Sequence, residues 1–465
     1  MLNRAVVGLA AALSVGIAHA ASDEDLKALR EELRQLKEQY QQSIDALEQR
    51  LQEAEGKAAQ AQATASQAAV QASSRPTGEN ALNPGVSAIL NGVYANLSQD
   101  PAKYRINGFA PTLGDVAPPV RGLSLGESEL ALMANIDHHF RGTLIASISP
   151  DNSAIDVEEG YIQTLSLPHG FTLKAGRFFS GVGYQNQVHA HAWDFADAPL
   201  AMKVFLGGQL NEDGLQVKWV APTETYFDLG FEAGRGRKFP GGPDGGRNKN
   251  GFGSGNLFAH WGGDLGASTA WQAGLSHVIT SPQDRLFTDL DSTGTSVTNS
   301  FTGRSRLWVL DGILKWAPNQ NPTVTNFKLQ GEYFRRREEG TLTYDALAQS
   351  LGTMSGGYAS LQSGWYLQGV YQFAPLWRAG LRYDRLNSGS TSVGLVDSGA
   401  LTPADFPILG GYNPRKTTAM IDWNPSEFSR VRLQLARDYS RLGMPDNQLL
   451  LQYIVSMGAH GAHRF

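Results

Sequence analysis

The sequence predicts an all-β transmembrane barrel of about sixteen antiparallel strands, preceded by an N-terminal α-helical coiled coil. Three observations predict it. Alternate positions at the C-terminal end, Leu449, Leu451, Tyr453, Val455, Met457, Ala459, Gly461, His463 and Phe465, form a mostly apolar stripe that ends on a terminal Phe. Residues 1–20 have the pattern of an export signal. Between these ends, one strand-like stretch after another sets charged residues on one face against aromatic residues on the other. A period of two, with one face for lipid and one for water, describes a barrel wall in a Gram-negative outer membrane.

Taking the elements in order, Arg4 precedes an apolar run from Ala5 to Ile17 and an Ala18-His19-Ala20 cleavage motif. This is a secretory signal. The run is too short to cross a bilayer as a helix, and no later segment approaches the ~20 apolar residues that a helical span needs. A helical membrane protein is thereby excluded. The chain has no Cys, which excludes a disulfide framework and thiolate metal sites. A net charge of -5 is too mild to imply a nucleic-acid partner. The 52 glycines suit short strands, tight turns and long loops, and a hydrophobic content of 41% fits a lipid face diluted by lumen residues.

Over residues 22–74, Leu26, Leu29, Leu33, Leu36, Tyr40, Ile44, Leu47 and Leu51 keep a 3–4 spacing that alanines from Ala54 to Ala72 continue. Two successive steps of four, at Leu36, Tyr40 and Ile44, form a stutter. The segment reads either as a lone polar helix or as a self-associating coiled coil in the periplasm. A homotrimer is favoured, because a Leu seam this long would otherwise stay wet. Arg75-Pro76-Thr77-Gly78 breaks the helix and opens a linker over 75–85, and the barrel occupies 86–465.

Within the barrel, Trp365, Leu367, Tyr371 and Phe373 oppose Gln368 and Gln372, and Leu381 and Tyr383 oppose Arg378, Arg382 and Asp384. Phe327, Leu329 and Tyr333 oppose Lys328, Gln330 and Glu332, while Val431, Leu433 and Leu435 oppose Arg432, Gln434 and Asp438. Strand ends repeat an aromatic-plus-proline signature at Trp219–Pro222, Trp316–Pro318, Phe373–Pro375 and Trp423–Pro425, with a variant at Leu167–Gly170. Interfacial aromatics make a girdle, and Pro ends a strand because it cannot donate to the ladder. With Asp137–Arg141 and Trp261–Asp264 this gives roughly seven short turns, hence about sixteen strands, with fourteen or eighteen as the neighbouring possibilities.

Long outer connections are expected near 99–120, 181–208, 236–253, 281–302, 338–362 and 389–412. The connection at 181–208 would be the third outer loop and the pore constriction. His189 and His191 would share one face of it with Asp194 near by, and imidazoles with a carboxylate can hold Zn²⁺. The same groups can equally do no more than hydrogen-bond within the loop. His138 and His139 are adjacent, so their rings are expected to point apart; His460 and His463 lie in the closing tail. Arg177, Glu158, Glu159, Arg378, Arg382, Asp384 and Glu332 are the constriction and lumen candidates. With both signs among them, no ion preference follows. Arg335-Arg336-Arg337 suits a solvated rim. No catalytic or nucleotide-binding pattern occurs, so an enzyme is not expected. No cofactor is called for beyond Zn²⁺ as a bound or transported ion.

Two resemblances add to this. Val157-Glu158-Glu159-Gly160-Tyr161 followed by Lys174-Ala175-Gly176-Arg177-Phe178, together with Gln330-Gly331-Glu332-Tyr333-Phe334-Arg335-Arg336 and the hairpin from Ile421 onward, resembles the phosphate-selective type of outer-membrane porin. That likeness implies a trimeric passive channel. Arg121–Leu130, the stretch from Gly176 through Pro199, and Gly458–His463 are similar to proteobacterial outer-membrane proteins labelled zinc-regulated, TonB-dependent receptor-like, which implies a connection with zinc. Three functions follow as expectations. One is a diffusion channel for small hydrophilic solutes or ions, constricted by its third loop. Another is a metal-uptake barrel using His189 and His191. The last is an envelope anchor whose helix ties the outer membrane to the cell wall or to a periplasmic partner.

Overall fold

The computed structural model describes residues 85–112, 116–148, 154–242, 250–318 and 321–458, together with residues 27, 31, 34–38, 41, 42 and 45. It divides into two units, Met1–Leu82 and Asn83–Phe465. In the first, the described residues are helical and exposed, and Arg34 pairs with Glu31 at 2.8 Å. The signal segment, most of the heptad seam, the linker before Gly85, and residues 459–465 with His460 and His463 lie outside the described residues.

The second unit is one continuous sheet built from β1 (Gly85–Leu97), β2 (Gly122–Leu125), β3 (Ser128–Asn135), β4 (Phe140–Ile148), β5 (Ile155–Thr164), β6 (Phe171–Phe179), β7 (Asn211–Val220), β8 (Tyr226–Gly234) and β9 (Ser254–Asp264). It continues with β10 (Thr269–Thr280), β11 (Arg285–Leu290), β12 (Ser296–Trp316), β13 (Asn326–Tyr344), β14 (Met354–Ala374), β15 (Trp377–Val393), β16 (Arg415–Ser426), β17 (Ser429–Asp438) and β18 (Asp446–Gly458). β2 and β3 both pair with β1, and β10 and β11 both pair with β12, so the eighteen segments make a wall of sixteen strands. Neighbours run antiparallel throughout. β1 pairs with β18 from Ser87↔Gly458 to Leu97↔Gln448, which closes the sheet on itself and leaves no free edge.

The alternation sets the two faces as expected. On β18, Leu451 and Tyr453 are exposed on the outside while Gln448 and Gln452 are buried on the inside. Trp261, Phe373, Trp377, Trp423 and Phe428 form an exposed aromatic band at the short-turn end, with Trp377 stacked on Trp423 at 6.2 Å. The strand bounds leave seven short turns at that end and eight connections at the other.

Three expectations are corrected. Stretches 281–302 and 338–362 are mostly strand, because β11 to β14 continue the ladder far past the turns. At 19 residues β13 rises roughly 48 Å for a rise of ~3.3 Å per residue and a tilt of ~40°, against an apolar band of ~25 Å. Polar outward residues hid the alternation there. His138 and His139 do not point apart: a turn, unlike a strand, leaves their ring centroids 3.8 Å from each other. Finally, Arg335, Arg336 and Arg337 are not one rim cluster. Arg335 and Arg337 are exposed, whereas Arg336 is turned inward and fully buried.

Candidate functional site

The third outer connection, from Ser180 to Leu210, folds into the lumen. Its centre is a short helix, α1 (Leu200–Leu206), in which every residue is buried. Val182, Trp193, Leu200, Met202, Phe205 and Leu210 pack on inward-facing Val278, Leu307, Val309, Phe334, Tyr366 and Leu386 of β10 and β12–β15. An apolar patch on the inner wall of a barrel is out of place unless something covers it, and this loop does.

Polar contacts fix the rest of the loop. At its start, Glu232 on β8 accepts from Ser180 Oγ at 2.6 Å and from Gly181 N at 2.8 Å. Next, Glu332 Oε1 on β13 accepts from the backbone of Tyr184 and Gln185 at 2.7 and 2.8 Å. Further on, Gln434 on β17 accepts from Ala196 N at 2.8 Å, and Arg432 donates to Trp193 O at 3.0 Å. β8 and β17 stand halfway round the wall from each other in the strand order, so the loop crosses the barrel.

Acidic and basic side chains are unevenly divided around the lumen. Glu129, Glu158, Glu159, Glu212, Asp228, Glu232, Asp311 and Glu332 line β3 to β13, with Lys174, Lys218, Arg285, Lys315 and Arg336 among them. Lys328, Arg378, Arg382, Lys416 and Arg432 concentrate on β13 to β17, interleaved with Asp384, Asp422 and Asp438. The loop matches this division. It offers Asp194 and Asp197 to the basic side, and His189 and His191 to the acidic side.

On the basic side, Asp194 pairs with Lys328 and with Arg378 at 3.3 Å. Asp197 pairs with Lys416 at 2.8 Å and Arg382 at 2.9 Å, and Lys203 stands 3.7 Å away. Burial raises the Asp197 carboxyl, but Lys416, Arg382 and Lys203 outweigh it and hold it well below the usual carboxylate range. Burial also brings Lys203 down to about 8 against the pull of Asp197. Arg382 bridges Asp197 and, at 3.0 Å, Asp384, whose other oxygen accepts from Leu200 N at 2.9 Å.

On the acidic side, His191 Nδ1 lies 2.7 Å from Glu129 Oε1. His189 Nε2 lies 3.0 Å from Glu159 Oε2, while its Nδ1 faces Glu129 Oε2 at 3.3 Å and Glu158 Oε2 at 3.4 Å. Burial disfavours the charged ring, yet the nearby carboxylates of Glu129, Glu158 and Glu159 hold the His189 pKa well above its ordinary value. Adjacent residues of a strand normally point to opposite faces. Here Ile145 pairs with Glu159 and Ala146 with Val157, leaving Glu158 as a bulge that brings both carboxylates to one side.

The predicted residues therefore separate. His189 and His191 come together, but Asp194 stands with the basic wall, where lysine and arginine occupy its oxygens. Arg177 is held by Asp213 at 2.6 and 3.1 Å and by Val157 O at 2.8 Å. Glu127 and Glu129, one strand-period apart and thus on one face, are the acidic members that sequence reasoning did not single out; that spacing was the available signal.

No protein-family model matches the chain. It is similar to a protein of Aquifex aeolicus (strain VF5) described as uncharacterized, 30% identical over 370 residues, which covers 74% of this chain and 70% of that one. Among solved structures, a loop L8 deletion mutant of OmpT, an outer membrane protein of Vibrio cholerae, aligns at TM-score 0.48 with 10% identity, over 81% of this chain and 99% of that one. An anion-selective porin from Comamonas acidovorans aligns at 0.48 with 12% identity over 81% and 99%. The outer membrane channel DcaP of Acinetobacter baumannii aligns at 0.46 with 12% identity over 81% and 97%. None of these carries a phosphate-selective or a zinc-regulated, TonB-dependent description.

Proposed function

The chain belongs to the family of the Aquifex aeolicus protein, and we propose that it is a porin-like outer-membrane channel for small hydrophilic solutes or ions, with the third loop as its constriction. The loop's path across the lumen carries this reading: one segment is bonded to β8 at its start and to β17 further on. A wall of sixteen strands is wide enough to hold water, so an inward loop sets the bore. The apolar exterior with its aromatic band supports placement in a membrane, and the charged interior supports passage of polar cargo. The Leu seam of residues 22–74 supports assembly as a trimer.

The acidic and basic halves give the lumen a field across its axis rather than a ring of one sign. Such a field orients polar solutes and lets both ions enter. Phosphate preference, which one resemblance implies, has against it that Lys328 and Lys416 already pair with Asp194 and Asp197. Planar-bilayer recording of the purified protein tests the reading. Stepwise conductance that grows when residues 189–204 are replaced by a short Gly-Ser link is expected. A barrel that stays silent with the loop both present and removed would overturn it.

A further inference from the structure

We propose that Glu129, His189 and His191, joined by Glu158, form a divalent-cation site of the zinc class where the third loop meets the wall at β3 and β5. One nitrogen of each imidazole and a Glu129 oxygen all lie within 4.8 Å of one another, and so do single oxygens of Glu127, Glu129 and Glu158. Two donors on one tetrahedral zinc, each about 2.0–2.2 Å from the metal, stand roughly 3.3–3.5 Å apart. His189 Nδ1 already has that spacing from Glu129 Oε2, at 3.3 Å, and from Glu158 Oε2, at 3.4 Å. His191 Nδ1, 2.7 Å from Glu129 Oε1, needs only to draw back by about half an ångström.

Two further observations point to a ligand rather than to a closed hydrogen-bond network. His189 Nδ1 is a buried atom that makes no hydrogen bond, because the two carboxylate oxygens flank it instead of lying along its bonding direction. Its other nitrogen, Nε2, is engaged by Glu159 Oε2 at 3.0 Å. A metal-bound histidine is oriented in this way, with a carboxylate holding one nitrogen while the ion replaces the proton on the other. Glu129, Glu158 and Glu159 supply more negative charge than two imidazoles can balance, so the site selects a cation. Two ring nitrogens favour zinc and its neighbours over calcium or magnesium, which take oxygen. Because both imidazoles belong to the loop and all the carboxylates to the wall, a bound ion would tie the two together.

Isothermal titration of Zn²⁺ into the full-length protein in detergent tests this, in a background with His138, His139, His460 and His463 replaced by Ala. One ion per chain is expected, with at least tenfold weaker binding in His189→Ala/His191→Ala and in Glu129→Gln. Glu159→Gln keeps the ligands and should weaken binding about 10–100-fold. X-ray absorption at the zinc edge should show nitrogen and oxygen neighbours with imidazole scattering. Equal binding by all variants, or an oxygen-only shell, would overturn the site; heat-modifiable gel migration confirms that each variant is a folded barrel. Binding in detergent does not need conduction. A silent barrel that binds zinc sinks only the channel, and a conducting barrel that does not bind sinks only the site.

Discussion

The ring of Phe205, on the third loop, lies parallel to that of Phe334 on β13, with centroids 5.8 Å apart and planes 9° from coplanar. Phe109 meets the same ring edge-on at 6.0 Å, and the Arg336 guanidinium sits 5.2 Å from its centre. Arg336 also donates to Val204 O at 3.2 Å. Phe205 is thus the apolar pin of a polar loop. Phe205→Ala should cost loop docking about 3–5 kcal/mol, the usual range for removing a buried ring. Lys203, which is 3% exposed, should then become a tryptic site while the barrel stays intact on heat-modifiable gels. An uncut variant would show that the loop is held without this ring.

Asp197 is the ionic counterpart of that pin. Asp197→Asn leaves Lys416 and Arg382 with less than full compensation in a buried site, a loss of about 3–5 kcal/mol. Single-channel recordings should show added open-channel noise as the loop loosens. The pH dependence follows from the depressed carboxyl. A carboxylate whose folded pKa is lowered stabilises the docked loop fully above its free value, near pH 4, and that contribution declines below it and is gone once pH has fallen through the lower folded value. The excess noise of Asp197→Asn over wild type should therefore hold constant from pH 7 down to about 4. An excess that halves near pH 4 would mean that the carboxyl is not held down by its cations.

Much of the wall was legible in the sequence because period two and the aromatic-proline turns survive without tertiary information. What was hidden follows from the loop. Leu307-Trp308-Val309-Leu310 on β12 is apolar on both faces: Trp308 and Leu310 are exposed outside, and Leu307 and Val309 are buried under the loop. Tyr333-Phe334 and Trp365-Tyr366 repeat this. A strand apolar on both faces is covered on both, so these breaks in alternation were the sequence's record of a plugged patch. The spacing of His189 and His191 showed that they could act together, and the fold supplies Glu129 from a distant strand. The bulge at Glu158 leaves no trace in periodicity, since two adjacent acids ordinarily face opposite ways.

Ion preference should respond to single charges on the unevenly charged walls. Lys328→Gln leaves Asp194 its ion pair with Arg378 at 3.3 Å and removes one positive charge from the basic side. Reversal potentials under a salt gradient should move toward cation preference. Glu232→Gln, on the acidic side, should move them the other way. Shifts of the same sign in both variants would show that the transverse arrangement does not govern permeation.

The boundary of the lipid-facing band can be located with one substitution low on the wall and one high. Leu381 on β15 is outward-facing, 66% exposed, and four residues above the start of its strand, roughly 10 Å up by strand rise and tilt. Leu361 on β14 is outward-facing as well, but it lies thirteen residues above the end of its strand, roughly 33 Å up. An apolar band of ~25 Å includes the first and not the second. Leu381→Arg should therefore destabilise the barrel in lipid bilayers by about 2–4 kcal/mol, and Leu361→Arg by no more than ~1 kcal/mol. Urea titrations of both variants in phospholipid vesicles, followed by tryptophan emission, measure the difference. Equal losses would place the tall part of β14 inside the membrane and move the whole barrel relative to the bilayer.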